Sequence, residues 1–90
     1  MSHHPSSFSD EELITAMRER IESSLPGSEV QVSGGGGHFE IDVAAKEFEG
    51  LNTLKKQRLV YSAIKELMAG DSAPVHAIDR MITRTPDATS

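Results

Sequence analysis

The soft-metal chemistry open to this 90-residue chain rests on nitrogen, because it holds four histidines and no cysteine. His76 lies in Pro74-Val75-His76-Ala77-Ile78, at the start of an apolar, strand-like run. It completes a pattern that begins with His38-Phe39-Glu40-Ile41 and Phe48-Glu49-Gly50. Neutral imidazole is the commonest protein metal ligand, so His38 and His76 are the candidate donors of the ordered region. A histidine at a strand start is also, more often, a hydrogen-bonded surface or core residue. His3 and His4 offer a third place: with Met1 removed, Ser2-His3-His4 sets a histidine third from the amine, a copper- or nickel-capturing geometry. A loose tail is the plainer reading. No serine has a recognisable base partner, and Glu40, Asp42 and Asp79 read as exposed strand positions. The expectation is a protein that is not an enzyme.

These side chains need elements to hold them. Ser9 and Glu12 form a capping box, with Phe8 and Leu13 spaced as a hydrophobic staple and Asp10, Glu11 and Glu12 at the positive dipole end. Leu13, Ile14, Met17 and Ile21 then give the buried stripe of a helix that Pro26-Gly27 ends. Val30 and Val32 alternate with polar neighbours, Gly34, Gly35, Gly36 and Gly37 turn the chain, and Phe39, Ile41 and Val43 alternate with His38, Glu40 and Asp42. Period two sets His38 on the face opposite the core, at the loop mouth. Four glycines exceed what a turn needs. Either the loop is simply flexible, or backbone passes close to a partner or ligand there. It is not a Walker or Rossmann phosphate loop, since no Lys-Ser/Thr ending and no helix follow.

Lys46 to Leu51 is a short connector, one helical turn at most. From Asn52 or Thr53 a long helix runs to about Ala69, with Gly70 as its stop. Leu59/Val60, Ala63/Ile64 and Leu67/Met68 form its apolar face, and Tyr61 reads as a packing residue. Lys55, Lys56 and Arg58 cluster in its first turns, either as a solvated helix end or as a surface for an anion or acidic partner. Ala77 to Thr83 make a third strand. A long helix between strands two and three suits a right-handed parallel crossover. The fold class is therefore α+β, in the order helix-strand-strand-(short helix)-helix-strand. It forms a three-stranded mixed sheet with helices packed on one face. The expected layout is a disordered tail over 1–8, one domain over 9–86 and a C-terminal tail over 87–90.

Ninety residues suit one small core, and without cysteine its stability must come from packing. The net charge of −5 argues weakly against a dedicated duplex-DNA binder. That charge is uneven: residues 1–50 carry ten acids and three bases, and residues 51–90 four acids and six bases. No stretch approaches the roughly 20 apolar residues of a membrane span, so a soluble, cytoplasmic protein with no membrane partner is expected.

Taken together, these segments resemble the BolA family, and within it the IbaG (YrbA) branch. The markers are Leu25-Pro26, His38-Phe39, Phe48-x-Gly50, Lys56-Gln57-Arg58-Leu59-Val60-Tyr61, Val75-His76-Ala77 and Thr85-Pro86. Each is short; six in order over residues 10–86 are specific. Many members carry an Arg-His pair where this chain has Lys56-Gln57, and the IbaG branch reads Lys-Lys-Gln as here. The tail Thr85-Pro86-Asp87-Ala88-Thr89-Ser90 lacks the acids and tryptophan that often follow in the family.

The resemblance implies a class II KH-like fold and pairing with a monothiol glutaredoxin through a bridging [2Fe–2S] cluster. Roles in iron–sulfur trafficking or in iron and stress regulation follow. Glutaredoxin cysteine and glutathione would supply two thiolates, leaving two positions that imidazole can fill, as in Rieske centres. His76 matches the family's C-terminal histidine. The second ligand usually comes from the loop between the first two strands, where Ser33 to Gly37 hold neither cysteine nor histidine, so His38 at its edge is the nitrogen donor nearby. The isolated protein is expected to be a monomer without cofactor, and Lys55, Lys56 and Arg58 are candidates for electrostatic docking. The alternative is a nucleic-acid-binding transcriptional regulator that uses the KH-like fold and the same three basic residues. Gly34–Gly37 match the KH loop string only trivially, in a hairpin rather than between helices. A small interaction module that never meets metal is the third reading.

Overall fold

The computed structural model describes residues 8–86. The Ser2-His3-His4 site and the proposed tails, apart from Phe8, lie outside the described residues. Helix α1, Asp10–Ser24, begins at an intact capping box: Glu12 N–H donates to Ser9 Oγ at 3.0 Å and Ser9 N–H to Glu12 Oε1 at 2.8 Å. Leu13, Met17 and Ile21 are its buried stripe, while Phe8, the outer member of the expected staple, stays 49% exposed.

Strands β1 (Glu29–Gly35) and β2 (His38–Ala44) pair antiparallel, in register from Glu29 opposite Ala44 to Gly35 opposite His38. This corrects the expected loop. Gly34 and Gly35 are strand residues, and Gly36-Gly37 alone make the turn. Their φ angles are 64° and 88°. A type I′ hairpin requires positive values at both positions, and two glycines adopt them without side-chain strain. A single turn of 3₁₀ helix, Lys46–Phe48, then leads to α2, Thr53–Met68. Asn52 caps α2 by accepting from Lys55 N–H at 2.9 Å, and Gly70, at φ 89°, follows the C-terminal cap.

Strand β3, Ala77–Arg84, runs one residue beyond the expected Thr83 and pairs parallel to β2. The sheet order is β1-β2-β3. Its inner face packs Val30, Phe39, Ile41 and Val43 against the buried sides of α1 and α2, with Phe48 and Val75 closing the ends. In α2 the buried residues are Val60, Ile64 and Leu67. Leu59, expected on that face, is 37% exposed, and Tyr61, expected to pack, is 38% exposed. Both corrections follow from helix geometry. At about 100° per residue, Val60-Ile64-Leu67 define one stripe and their immediate neighbours turn away from it.

Among the described residues, no helix is long and apolar enough to cross a membrane. The outer face of the sheet carries Gln31, Ser33, Glu40, Asp42 and Arg80 around a shallow depression of about 350 Å³. Arg84 and Asp42 pair on that side at 3.2 Å.

Candidate functional site: two imidazoles beside a glycine turn

Parallel pairing brings together two candidate ligands that are far apart in sequence. His38 starts β2 opposite Ala77, the first residue of β3, and His76 immediately precedes Ala77. The ring centroids are 6.4 Å apart and the planes meet at 82°, edge to face. Both residues are exposed, and the His38 side chain is 57% accessible. Neither side chain is shut in the apolar interior.

The backbone under His76 is held from several directions. Val75, fully buried, anchors the preceding position, and its N–H donates to Leu67 O at the end of α2, 3.1 Å away. His76 N–H and Ala77 N–H both donate to the carbonyl of Gly37, at 2.8 and 3.1 Å. The imidazole then lies over Gly37 itself. A Cβ built on that residue would stand 2.7 Å from His76 Nδ1 and 2.9 Å from Cγ, closer than real contacts allow. On the other side of the turn, Asp10 Oδ1 accepts from Gly36 N–H at 3.2 Å, and a Cβ on Gly35 would run into the Asp10 carboxylate. Gly35 and Gly37 are therefore places of close approach rather than slack, whereas Gly36 has open space around it. What approaches is the chain's own Asp10 and His76.

His38 has a different support. Its Nδ1 is 3.1 Å from Asp79 Oδ1, in an exposed pair. Sequence reasoning places Asp79 correctly as an exposed strand position but gives it no part in the site. It reads Asp10 only as a dipole-end acid. Neither contact follows any local motif, because each joins residues 26 or 41 positions apart.

The basic residues do not join this constellation. Helix α2 starts beyond the C-terminal end of β2 and finishes beside Val75, so its first turn lies at the opposite end of the domain from the histidines. The helix has 16 residues. At the usual rise per residue that is a span of about 24 Å. Nor do the three bases share one face. Lys55 and Arg58 are exposed, whereas Lys56 is half-buried and turned away from both. Besides its neighbour Lys55, Arg58 shares an exposed stripe with Leu54, Tyr61 and Lys65, at spacings of four, three and four.

The residues present suit the two open positions on one iron of a [2Fe–2S] cluster. They supply two exposed imidazoles and no thiolate, which leaves the sulfur ligands to come from elsewhere. Among the described residues, no group of three or more His, Cys, Asp or Glu could hold a metal ion alone. When bound, such a cluster would contribute electron-accepting iron whose potential imidazole ligation raises.

A model of the family described as BolA-like protein matches residues 11–88. The chain is 43% identical over 61 residues to BolA-like protein 1 of Bos taurus, covering 68% of this chain and 37% of that one. It is 36% identical over 56 residues to the acid stress protein IbaG of Escherichia coli K12, covering 62% and 64%. It thus spans less than two thirds of the length of these curated relatives. Among solved structures it resembles a BolA protein homologue from Coxiella burnetii, with a TM-score of 0.68, 34% identity and coverage of 90% and 95%.

Proposed function

The chain belongs to the BolA-like protein family, and from that premise we propose that it is an adaptor pairing with a monothiol glutaredoxin through a bridging [2Fe–2S] cluster. In this reading it serves iron–sulfur trafficking or iron and stress regulation in the cytoplasm, and catalyses no reaction of its own. The observation that carries the proposal is the pair of exposed imidazoles, 6.4 Å apart on the starts of adjacent parallel strands, in a chain without cysteine. His76 is the firmer donor, because backbone bonds and the Gly37 seat fix where its ring stands. His38 is the second.

The test is reconstitution of the protein with a monothiol glutaredoxin, iron, sulfide and glutathione. One co-eluting species with a visible spectrum distinct from the glutaredoxin homodimer is expected. Two separate elution peaks with no new spectrum would overturn the proposal.

A second reading, nucleic-acid binding, is favoured by one observation. Arg58, Tyr61 and Lys65 stand together on the outward side of α2, and a basic surface with an aromatic suits a nucleic-acid strand. It predicts a salt-dependent shift with DNA that an Arg58→Ala/Lys65→Ala variant loses. No shift even at low salt would remove it. Because this surface and the histidines lie on different parts of the molecule, the two readings are experimentally separable.

A further inference from the structure

We propose that Asp79 is a positioning residue for His38, holding its imidazole with the proton on Nδ1 so that Nε2 keeps the free lone pair. Three observations converge on it. First, β3 pairs Ile78 with Phe39 and Arg80 with Glu40, so Asp79 is an extra residue with no partner on β2. Bulges of this kind bend a strand and re-aim a side chain, and they recur beside functional sites. Second, the carboxylate of this unpaired residue lies 3.1 Å from His38 Nδ1. A carboxylate can only accept, so the nitrogen facing it must carry the hydrogen. Third, both side chains of the pair are exposed, at 57% and 55%. An exposed pair contributes little to stability, so removing the carboxylate should leave the fold unchanged while it alters the ring.

The arrangement matches the second shell of histidine metal sites, in which a carboxylate on one ring nitrogen fixes the tautomer and raises the basicity of the other. Without such a partner the ring exchanges freely between its two neutral forms. With it, Nε2 is pre-set as the donor nitrogen. His76 differs: among the described residues its ring makes no side-chain hydrogen bond, and it is held by its backbone and by Gly37 instead. The functional consequence rests on His38 being a cluster ligand; the tautomer assignment does not.

The experiment has two arms. In the first, nitrogen-15 NMR of the imidazoles is recorded on the cluster-free protein at a pH where histidine is neutral, for the native chain and for Asp79→Ala and Asp79→Asn. The native His38 should show the Nδ1–H form. Asp79→Ala should move it toward the Nε2–H form, and Asp79→Asn, whose amide oxygen can still accept, should hold most of the native signature. His76 should not change. An identical His38 pattern in the native chain and Asp79→Ala overturns the proposal. In the second arm, Asp79→Ala should weaken retention of the glutaredoxin-shared cluster by about 10- to 100-fold, with the fold unchanged by circular dichroism. Unaltered retention overturns the ligand-tuning role, provided His38→Ala abolishes the cluster. If His38→Ala leaves the cluster intact, the ligand reading of His38 fails and the NMR arm alone decides for or against Asp79.

Discussion

The regions beside the two ends of α2 hold the charged and titratable residues that matter here, and they are built in different ways. At its C-terminal end the chain converges. Leu67 receives Val75, the Gly37 carbonyl takes two N–H groups, Asp10 holds the other side of the turn, and two imidazoles stand over this frame. At the N-terminal end Asn52 caps the helix, and Lys55 and Arg58, three residues apart, reach into solvent without a side-chain partner to fix them among the described residues. The first region specifies positions to within a contact distance; the second specifies a charge density. Ligation of a metal centre needs the former, whereas electrostatic recruitment needs only the latter. The division of labour proposed above follows from that difference.

Substitutions can break or sharpen the contrast. The largest effect is expected from Gly37→Ala. Its φ of 88° penalises any side chain, and the new methyl meets the His76 ring. A loss of about 2 kcal/mol in urea unfolding should accompany impaired cluster pairing. Next comes Asn52→Ala, which removes the cap of α2. It should cost about 1 kcal/mol by the same assay while leaving the cluster spectrum alone. Lys55→Ala with Arg58→Ala should change stability by less than about 0.5 kcal/mol. Its expected signature is a slower, less salt-sensitive association with the partner in stopped flow, with the bound spectrum unchanged. Smallest of all should be Gly36→Asn. Nothing lies within 4 Å of a Cβ there, and asparagine is a favoured first residue of a type I′ turn. If Gly36→Asn and Gly37→Ala proved equally damaging, the turn would be a matter of strain alone and the seat for His76 would lose its meaning.

Much of the fold is legible in the residues themselves. The capping box, the three-and-four spacing of Leu13, Met17 and Ile21, and the alternation of Phe39, Ile41 and Val43 are local signals, and each is found as expected. The parallel crossover follows from the length of the helix between two strands. Where expectation and structure part, the reason is again physical. A run of four glycines hides its own register, so Gly34 and Gly35 read as loop although strand pairing claims them. Leu59 and Tyr61 look like core by hydrophobicity, yet the helix rotates them outward.

For the site, His38 and His76 can be named from residue type and family resemblance. Their supports cannot. Asp10, Gly37 and Asp79 act through contacts between distant segments, and a β-bulge leaves no mark in a strand of mixed residues such as Asp79-Arg80-Met81.

The most direct test of the central claim compares visible absorption and circular dichroism of the glutaredoxin complex reconstituted with the native chain, His38→Ala and His76→Ala. Both histidines are exposed, so both variants should fold. The account predicts that His76→Ala yields no cluster-bridged heterodimer, and that His38→Ala yields one that is lost or spectrally altered. A His76→Ala complex with the native spectrum would contradict it.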